Sequence, residues 1–555
     1  MSNLIDELKQ QWIGEVRTDG ETLKKHSRDA SVFEITPKAV VVPKNSKEIQ
    51  SLVTFVNEYK EAFPDLSLTP RAAGTDMSGG TLTHSLSVSM EKLNTVESIG
   101  KDYAITQPGV FYRNFEKEIH KHDLMYPPYT SSRNLCTVGG MVANNSAGEK
   151  SLQYGKAKDF VLELKAVLSD GNEYTFKKIN REELDKKMAQ GDFEGKLYKK
   201  IWKLLEENKS KINESRPTVS KDSTGYNIWD TWDGEHFDMT KLLTGSQGTL
   251  GIVTEIKFRV IPEIHKKGLL VIYMNNYDHL PEIVQTVLKH TPISFESFDH
   301  HTLRLGLKYF YGFSKSLHTN VLGATKAYLP EIFNVMKNGM PKMVLLVEYE
   351  DEELSTIREK ISLLNTELQQ FKNIYTKVTH NKRERDKYWA LRRESFNLLR
   401  QRVKGMNAAP FIDDTCVDPK VLPEMLPKLY KILDESNLLY TIAGHIGDGN
   451  FHIIPLMDLS KEEERKKIYE VADKVFELVL SYGGSISGEH NDGIVRSPYL
   501  RQVYGDTIYN VFKEIKETFD PNTIFNPHKK IGVTKAYAEK NMISSTEVKI
   551  IKDYK

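Results

Sequence analysis

Apolar positions recur along the chain in two rhythms. The unbroken run Ala39-Val40-Val41-Val42-Pro43 predicts a buried strand, and Ser46-Lys47-Glu48-Ile49 reads as an N-cap leading into a helix through Phe55-Val56. Leu66–Pro70 and Val161–Leu168 predict further strands, the latter closing at Asp170-Gly171. Residues 1–36 mix charged and apolar positions as an amphipathic helical entry does. After Phe258-Arg259-Val260-Ile261, Pro262 marks a boundary, beyond which the pattern changes. Gly268–Tyr273 and Met343–Tyr349 predict strands, with helical periods at Asp278–Lys289 and Glu352–Phe371. Strands and helices mixed in this way predict an α+β unit with an antiparallel sheet. The charged stretches Lys461–Lys467 and Lys535–Lys555 read as solvated helix faces and a tail.

Between these elements lie three loops of small residues: Arg71-Ala72-Ala73-Gly74-Thr75-Asp76-Met77-Ser78-Gly79-Gly80, Thr137–Gly148 and Thr244–Thr254. Strand, helix and strand leading into the first loop let bare backbone N–H groups approach an anion such as a pyrophosphate. The glycine spacing is not that of a Rossmann dinucleotide site. Three such loops, far apart in sequence, can wrap one long ligand.

Composition narrows the class. At 555 residues the chain exceeds one core, so two or more domains are expected. A net charge of +1 gives no electrostatic case for a nucleic-acid partner. No run of apolar residues is long enough to span a bilayer, and the N-terminus lacks a signal-peptide pattern. Two cysteines, Cys136 and Cys416, make neither a disulfide framework nor an iron–sulfur ligand set, and a reducing cytoplasmic setting is the expectation.

The chemistry concentrates late, in Gly444-His445-Ile446-Gly447-Asp448-Gly449-Asn450-Phe451-His452, answered by Gly488-Glu489-His490-Asn491. An apolar run precedes the first stretch and Ile453-Ile454 follows it, which predicts a hairpin with Asp448-Gly449 as a two-residue turn. That register sets His445 opposite His452 on one face, their Cβ atoms roughly 5 Å apart, so that the two imidazoles converge. Glu489 offers a third, oxygen ligand, and the set His445, His452 and Glu489 suits a divalent metal with an open position. Adjacent Glu489 and His490 would diverge on a regular strand, so an irregular turn is expected there.

Taken in order, Val40–Pro43, Pro70–Gly80, Gln107-Pro108-Gly109-Val110, Tyr126-Pro127-Pro128, Thr137–Gly148, Leu243–Val253, the hairpin, Gly488–His490 and Asp520–Lys529 resemble the vanillyl-alcohol-oxidase superfamily of FAD-linked oxidases. The branch they resemble contains D-lactate dehydrogenase, the glycolate oxidase flavin subunit and D-2-hydroxyglutarate dehydrogenase. The resemblance implies a two-subdomain, PCMH-type FAD-binding domain at 1–262, to which 500–535 returns. It also implies an α+β substrate (cap) domain with an antiparallel sheet at 263–499, followed by a polar tail at 536–555.

By the same resemblance, noncovalent FAD is held by Arg71, Ala73, Gly74, Thr75, Asp76, Met77, Ser78, Gly79, Pro108, Gly109, Thr137, Val138, Gly139, Gly140, Asn144, Ser146, Ala147, Gly148, Tyr154, Gln247, Gly251, Ile252, Val253 and Asn526. His490 is the implied catalytic base, and the metal at His445, His452 and Glu489, with zinc the expected ion, holds the substrate. Arg392, in the helical Tyr388-Trp389-Ala390-Leu391-Arg392, is the implied carboxylate ligand, with Arg393 a solvated neighbour. Arg496 and Asn491 are further substrate candidates. Departures from the pattern include Arg71-Ala72-Ala73-Gly74 in place of a glycine run and Gln247 in place of glutamate.

The implied reaction is oxidation of a D-2-hydroxy acid of the lactate, 2-hydroxyglutarate or glycolate class. Electrons would leave to a separate quinone, cytochrome, flavoprotein or iron–sulfur protein, with room for peripheral contact at the inner face of a membrane. The alternatives are a flavin-binding subunit of a multi-protein oxidase and a non-redox transferase like alkylglycerone-phosphate synthase.

Overall fold

Three sheets carry the molecule, whose computed structural model describes residues 2–308, 337, 339–402 and 405–544. The first sheet has four strands in the order Glu15–Arg17, Ala39–Val42, Leu86–Ser89, Leu68–Arg71. Its last two pairings are parallel, and Ala39–Val42 is buried at every position. The helix Ser46–Tyr59 covers it through Ile49, Leu52, Val53 and Val56, and Asn45, one residue before the expected cap, accepts from Glu48 N–H at 3.0 Å. The entry segment is not wholly helical. Between Ser2–Gln11 and Gly20–His26 the short strand Glu15–Arg17 pairs antiparallel with Ala39–Val42, because an exposed strand edge there takes it up.

The second sheet is antiparallel, in the order Val96–Ile99, Tyr103–Thr106, Ile252–Arg259, Val161–Val167, Glu173–Lys177. The third begins at Lys266 and is antiparallel throughout. Its order is Ile374–Val378, Lys266–Met274, Met343–Asp351, Ser294–Asp299, Leu439–His445, Asn450–Met457, Asn407–Ala408, with Thr415–Cys416 also on Asn450–Met457. Helices Leu280–Lys289, Leu354–Leu368, Leu422–Glu435 and Glu462–Ser481 seal one of its faces in a single apolar core. This is the expected division into an N-terminal half with two sheets and an α+β half with a large antiparallel sheet.

The C-terminal stretch threads back: Phe525 bridges Leu68 in parallel, and Asn526 N–H donates to Leu68 O at 2.9 Å. The stretch expected as a polar tail is a correction. Lys535–Lys540 is helical, Ala538, Met542 and Ile543 are buried, and Met542 bridges Phe33. Its charges face out while these few apolar side chains pack, a pattern the lysines obscured. Residues 545–555 of that tail lie outside the described residues.

Candidate active site

The hairpin forms with a register different from that expected. His445 pairs with Asn450 and Ala443 with His452, so the connection is Ile446–Gly449, a 3-10 turn closed by Gly449 in the left-handed region (φ 67°). Asp448 does not adopt the positive φ that a two-residue type I′ turn requires. The displacement is two residues. Side chains alternate with period two, so His445 and His452 stay on one face, their ring centroids 5.3 Å apart.

Each imidazole of the hairpin is held by a carboxylate from elsewhere. His445 Nδ1 lies 2.5 Å from Glu296 Oε1, on the neighbouring strand, and His452 Nδ1 lies 3.1 Å from Asp413 Oδ1. With both Nδ1 atoms engaged, both Nε2 atoms are left for a ligand. His445 Nε2 is buried without a hydrogen-bond partner among the described residues, 3.2 Å from Glu489 Oε1. Ligand atoms of His445, His452 and Glu489 all lie within 4.8 Å of one another. Such a set fits a divalent metal: an orphaned imidazole nitrogen, a second imidazole and a carboxylate, each braced from behind.

His490 stands beside this set, its ring 5.2 Å from that of His452 and its Nδ1 2.8 Å from Asp413 Oδ2. Asp413 is fully buried and serves both imidazoles. Burial by itself would raise its carboxyl, but the His490 and His452 rings hold it well below the carboxylate range. Burial lowers His490, and Asp414 and then Asp413 outweigh it, raising it to about 9. Burial likewise opposes a charge on His445, and Glu296 prevails to raise it to about 9. Burial would raise Glu489, but Lys221 and then His445 bring it well below its ordinary value.

The irregular turn expected at Glu489-His490 is built on Asp414. One of its oxygens accepts from Glu489 N–H (2.8 Å), His490 N–H (2.7 Å) and Ser487 Oγ (2.8 Å). Asn491 (φ 68°) and Gly493 (φ 49°) then reverse the chain. A Cβ on Gly493 would fall 2.2 Å from Ser78 O, which brings the first small-residue loop directly against the Glu-His loop.

The three small-residue loops converge at this point. Asn144 Nδ2 donates to Asp76 (2.9 Å), and Gln247 Nε2 donates to Ser78 Oγ (3.1 Å) and Asn144 Oδ1 (3.2 Å). Gln247 Oε1 accepts from Gly493 N–H (2.8 Å). Asn526 Nδ2 donates to Gly80 O and Gln247 O, and Thr69 donates to its Oδ1. Pro108 lies under Gly139, and Gly109 is pressed against Met90 O. In the first loop Gly74 (φ 71°) and Gly79 (φ 83°) take the left-handed region and neither alanine does, which is why the two alanines are tolerated.

The loops suit a flavin dinucleotide. The Thr137 and Thr244 hydroxyls are buried with no hydrogen-bond partner among the described residues, and the N–H groups of Gly74, Thr75 and Met77 reach no backbone carbonyl there. Other expected cofactor residues serve through the backbone or as packing. The Arg71 guanidinium reaches back to Arg28 O (2.7 Å), and Ile252 is core. Val138, Ser146, Ala147 and Gly148 are buried within the second loop, and Gly251 immediately precedes the strand in which Val253 pairs with Ala166. Tyr154 sits near Glu350 and Lys267 of the large sheet, at the end of the turn Ser151–Tyr154, whose Leu152 packs on Gly447.

Three expected roles change. Arg496 is fully buried, and its guanidinium donates to Ile486 O (3.0 Å), Asn491 O (3.0 Å) and Asp413 O (2.6 Å). It braces the Glu-His loop and has no free face for a substrate. Asn491 is buried too, donating to Gly245 O (2.9 Å) and Asn144 O (3.2 Å), a strut between this loop and two flavin loops. Arg393, read as a solvated neighbour, makes a two-armed pair with Glu149 of the flavin half. Arg392 reaches the site, its Nε 3.1 Å from Glu296 Oε2, so one carboxylate orients both Arg392 and His445.

Glu296, Asp413, Asp414 and Lys221 escaped the sequence reading. Lys221 comes from the flavin half, is 1% exposed, and sits 2.7 Å from Glu489 and 3.1 Å from Asp448. Asp413-Asp414 inside the apolar Ala409–Val417 was the available signal, since buried acids in such a run require partners. Glu296 and Lys221 carry no comparable mark.

Residues 37–177 match the model of a FAD binding domain, and 265–530 match that of the C-terminal domain of FAD linked oxidases. The chain belongs to the FAD-linked oxidases. Within this family it is related to 2-hydroxy acid dehydrogenases. It is 27% identical to a D-2-hydroxyglutarate dehydrogenase of Haemophilus influenzae over 95% of this chain, and 26% identical to a D-lactate dehydrogenase of Archaeoglobus fulgidus over 88%. It spans 51% of the first relative and 90% of the second, so about half of the Haemophilus protein's length has no counterpart here. The fold matches that of p-cresol methylhydroxylase with a TM-score of 0.67, over 97% of this chain and 98% of that one, at 13% identity. No helix among the described residues is long and apolar enough to cross a membrane.

Proposed function

We propose that this FAD-linked oxidase oxidises a D-2-hydroxy acid of the lactate, 2-hydroxyglutarate or glycolate class to the 2-oxo acid. The observation that carries the reading is the convergence of three imidazoles and Glu489 on the face turned to the flavin loops, through Asn491 and Gly493. Bound FAD supplies the hydride acceptor, which no side chain can be. His445, His452 and Glu489 would hold a divalent ion, zinc in our reading, which would supply Lewis acidity to a hydroxyl.

The chain's own residues do the rest. His490, its Nδ1 2.8 Å from Asp413 Oδ2, takes the hydroxyl proton in its neutral form, which the positive charge of a divalent ion beside it would favour against Asp414 and Asp413, and Asp413 stabilises the imidazolium that results. Arg392, oriented by Glu296, pairs with the substrate carboxylate. In this scheme residues 1–262 and 500–535 hold the cofactor, and 263–499 hold the substrate. A separate quinone or redox protein takes the electrons.

Anaerobic addition of D-lactate, D-2-hydroxyglutarate and glycolate to the yellow protein tests this. One of them bleaches the flavin, and His490→Ala slows that bleaching at least 100-fold with FAD content unchanged. A broad panel of 2-hydroxy acids that leaves the absorbance untouched would refute the assignment.

A further inference from the structure

Strand Ser294–Asp299 turns Glu296 towards His445, and three positions on, Asp299 projects from the opposite face. Asp299 is 1% exposed. Its Oδ1 accepts from Thr302 N–H at 2.9 Å, whereas Oδ2 is buried with no hydrogen-bond partner among the described residues. The next residue opens the helix His300–Lys308, and His300 Nδ1 is also buried and unpartnered. The His301 ring lies 4.1 Å from that of His300 and 5.2 Å from that of Tyr440. One ligand atom from each of Asp299, His300 and His301 lies within 4.8 Å of the other two.

Buried polar atoms in a native core are normally satisfied, and here a carboxylate oxygen and an imidazole nitrogen are both left over in one place. A cation satisfies both at once. We propose that Asp299, His300 and His301 form a second divalent-metal site, separate from the active site, of the nitrogen–oxygen class that Zn²⁺, Co²⁺ and Ni²⁺ occupy.

Thr302 holds one carboxylate oxygen and leaves the other to the ion, and the half-exposed histidines give a way in. Lys342 and Arg304 act on His300 as opposing charges, and the helix N-terminus adds to them, so the site binds more weakly than one ringed by acids. Strand Ser294–Asp299 pairs with Leu439–His445 through Ser297–Gly444 and Phe298–Ala443, so one strand pair carries both sites on its two faces.

Titration of Co²⁺ into chelator-stripped, FAD-loaded protein, read by visible absorption and by metal content after dialysis, tests the proposal independently of the reaction. Wild type takes up two equivalents. His445→Ala keeps the equivalent held at Asp299, and His300→Gln/His301→Gln loses it. The proposal is overturned if His445→Ala binds no Co²⁺, or if wild type and His300→Gln/His301→Gln bind equally. Should the double variant fail to retain FAD, Asp299→Asn, which keeps the acceptor for Thr302, replaces it, and undiminished uptake there is equally fatal.

Discussion

At the scale of single residues, the site depends on buried acids placed behind its imidazoles. Asp413 fixes two imidazoles at once, so Asp413→Asn keeps shape but frees both rings to turn. The expected result is a roughly 10–100-fold fall in the rate of substrate bleaching, with bound FAD retained. Measurement is by anaerobic stopped flow, and an unchanged rate contradicts the orienting role. His26 makes a different point. It is buried against Ser87 Oγ at 3.0 Å, and burial lowers it to about 3 from an ordinary 6.5. Below pH 6.5 the unfolded chain gains a proton that the folded chain refuses, so stability falls as pH drops and is restored above 6.5. Between pH 6.5 and 5 this one group costs about 2 kcal/mol. Urea midpoints at the two pH values, compared between wild type and His26→Gln, report the difference. His26 stood out from the sequence no more than Glu296 did: a lone polar residue reveals its partner only when the fold supplies one.

At the scale of elements, the hairpin shows which part of a local reading is robust. Strand, turn and strand followed from apolar runs around glycine, but the turn type did not. The close approach of Gly449 to the segment Val417–Pro419 selects a four-residue connection, because a Cβ at Gly449 would stand 1.8 Å from Val417 O. Gly449→Ala meets both that clash and an unfavourable positive φ. A loss of about 1–3 kcal/mol is expected, together with weaker metal uptake as His452 is displaced. Thermal melts and metal content measure the two effects, and a variant as stable as wild type would argue against this turn. The convergence of His445 and His452 survived the wrong register because the displacement was even, and a displacement of one would have buried the rings on opposite faces.

At the scale of the molecule, the two halves are joined by buried charges. Arg393 clasps Glu149, Lys150 pairs with Glu350 at 2.8 Å, and Lys221 reaches Glu489 of the histidine cluster from the N-terminal half. Lys530, fully buried, closes the assembly through Asp492 (2.7 Å), Asn491 Oδ1 (2.6 Å) and Gly225 O (2.6 Å). Lys530→Met leaves Asp492 as an uncompensated charge, at a cost of about 3–5 kcal/mol. Flavin fluorescence on heating should show release at a lower temperature than in wild type. Release at the same temperature would mean that the clasp is not holding the cofactor domain.

Sequence alone determined the α+β class, the three small-residue loops, and the histidines and glutamate that come together, because each is written locally as a glycine-bounded loop or an apolar period. It also carried the family resemblance through the order of those pieces. Tertiary structure alone decided the second layer: Glu296 behind His445 and Arg392, Asp413 behind His452 and His490, Lys221 against Glu489, and Arg496 and Asn491 as braces. Glu296, Asp413 and Lys221 lie 39 to 268 positions from the groups they orient, and no local pattern records such a distance. Burial makes their charges strong and their pairing obligatory, and burial exists only once the chain has folded.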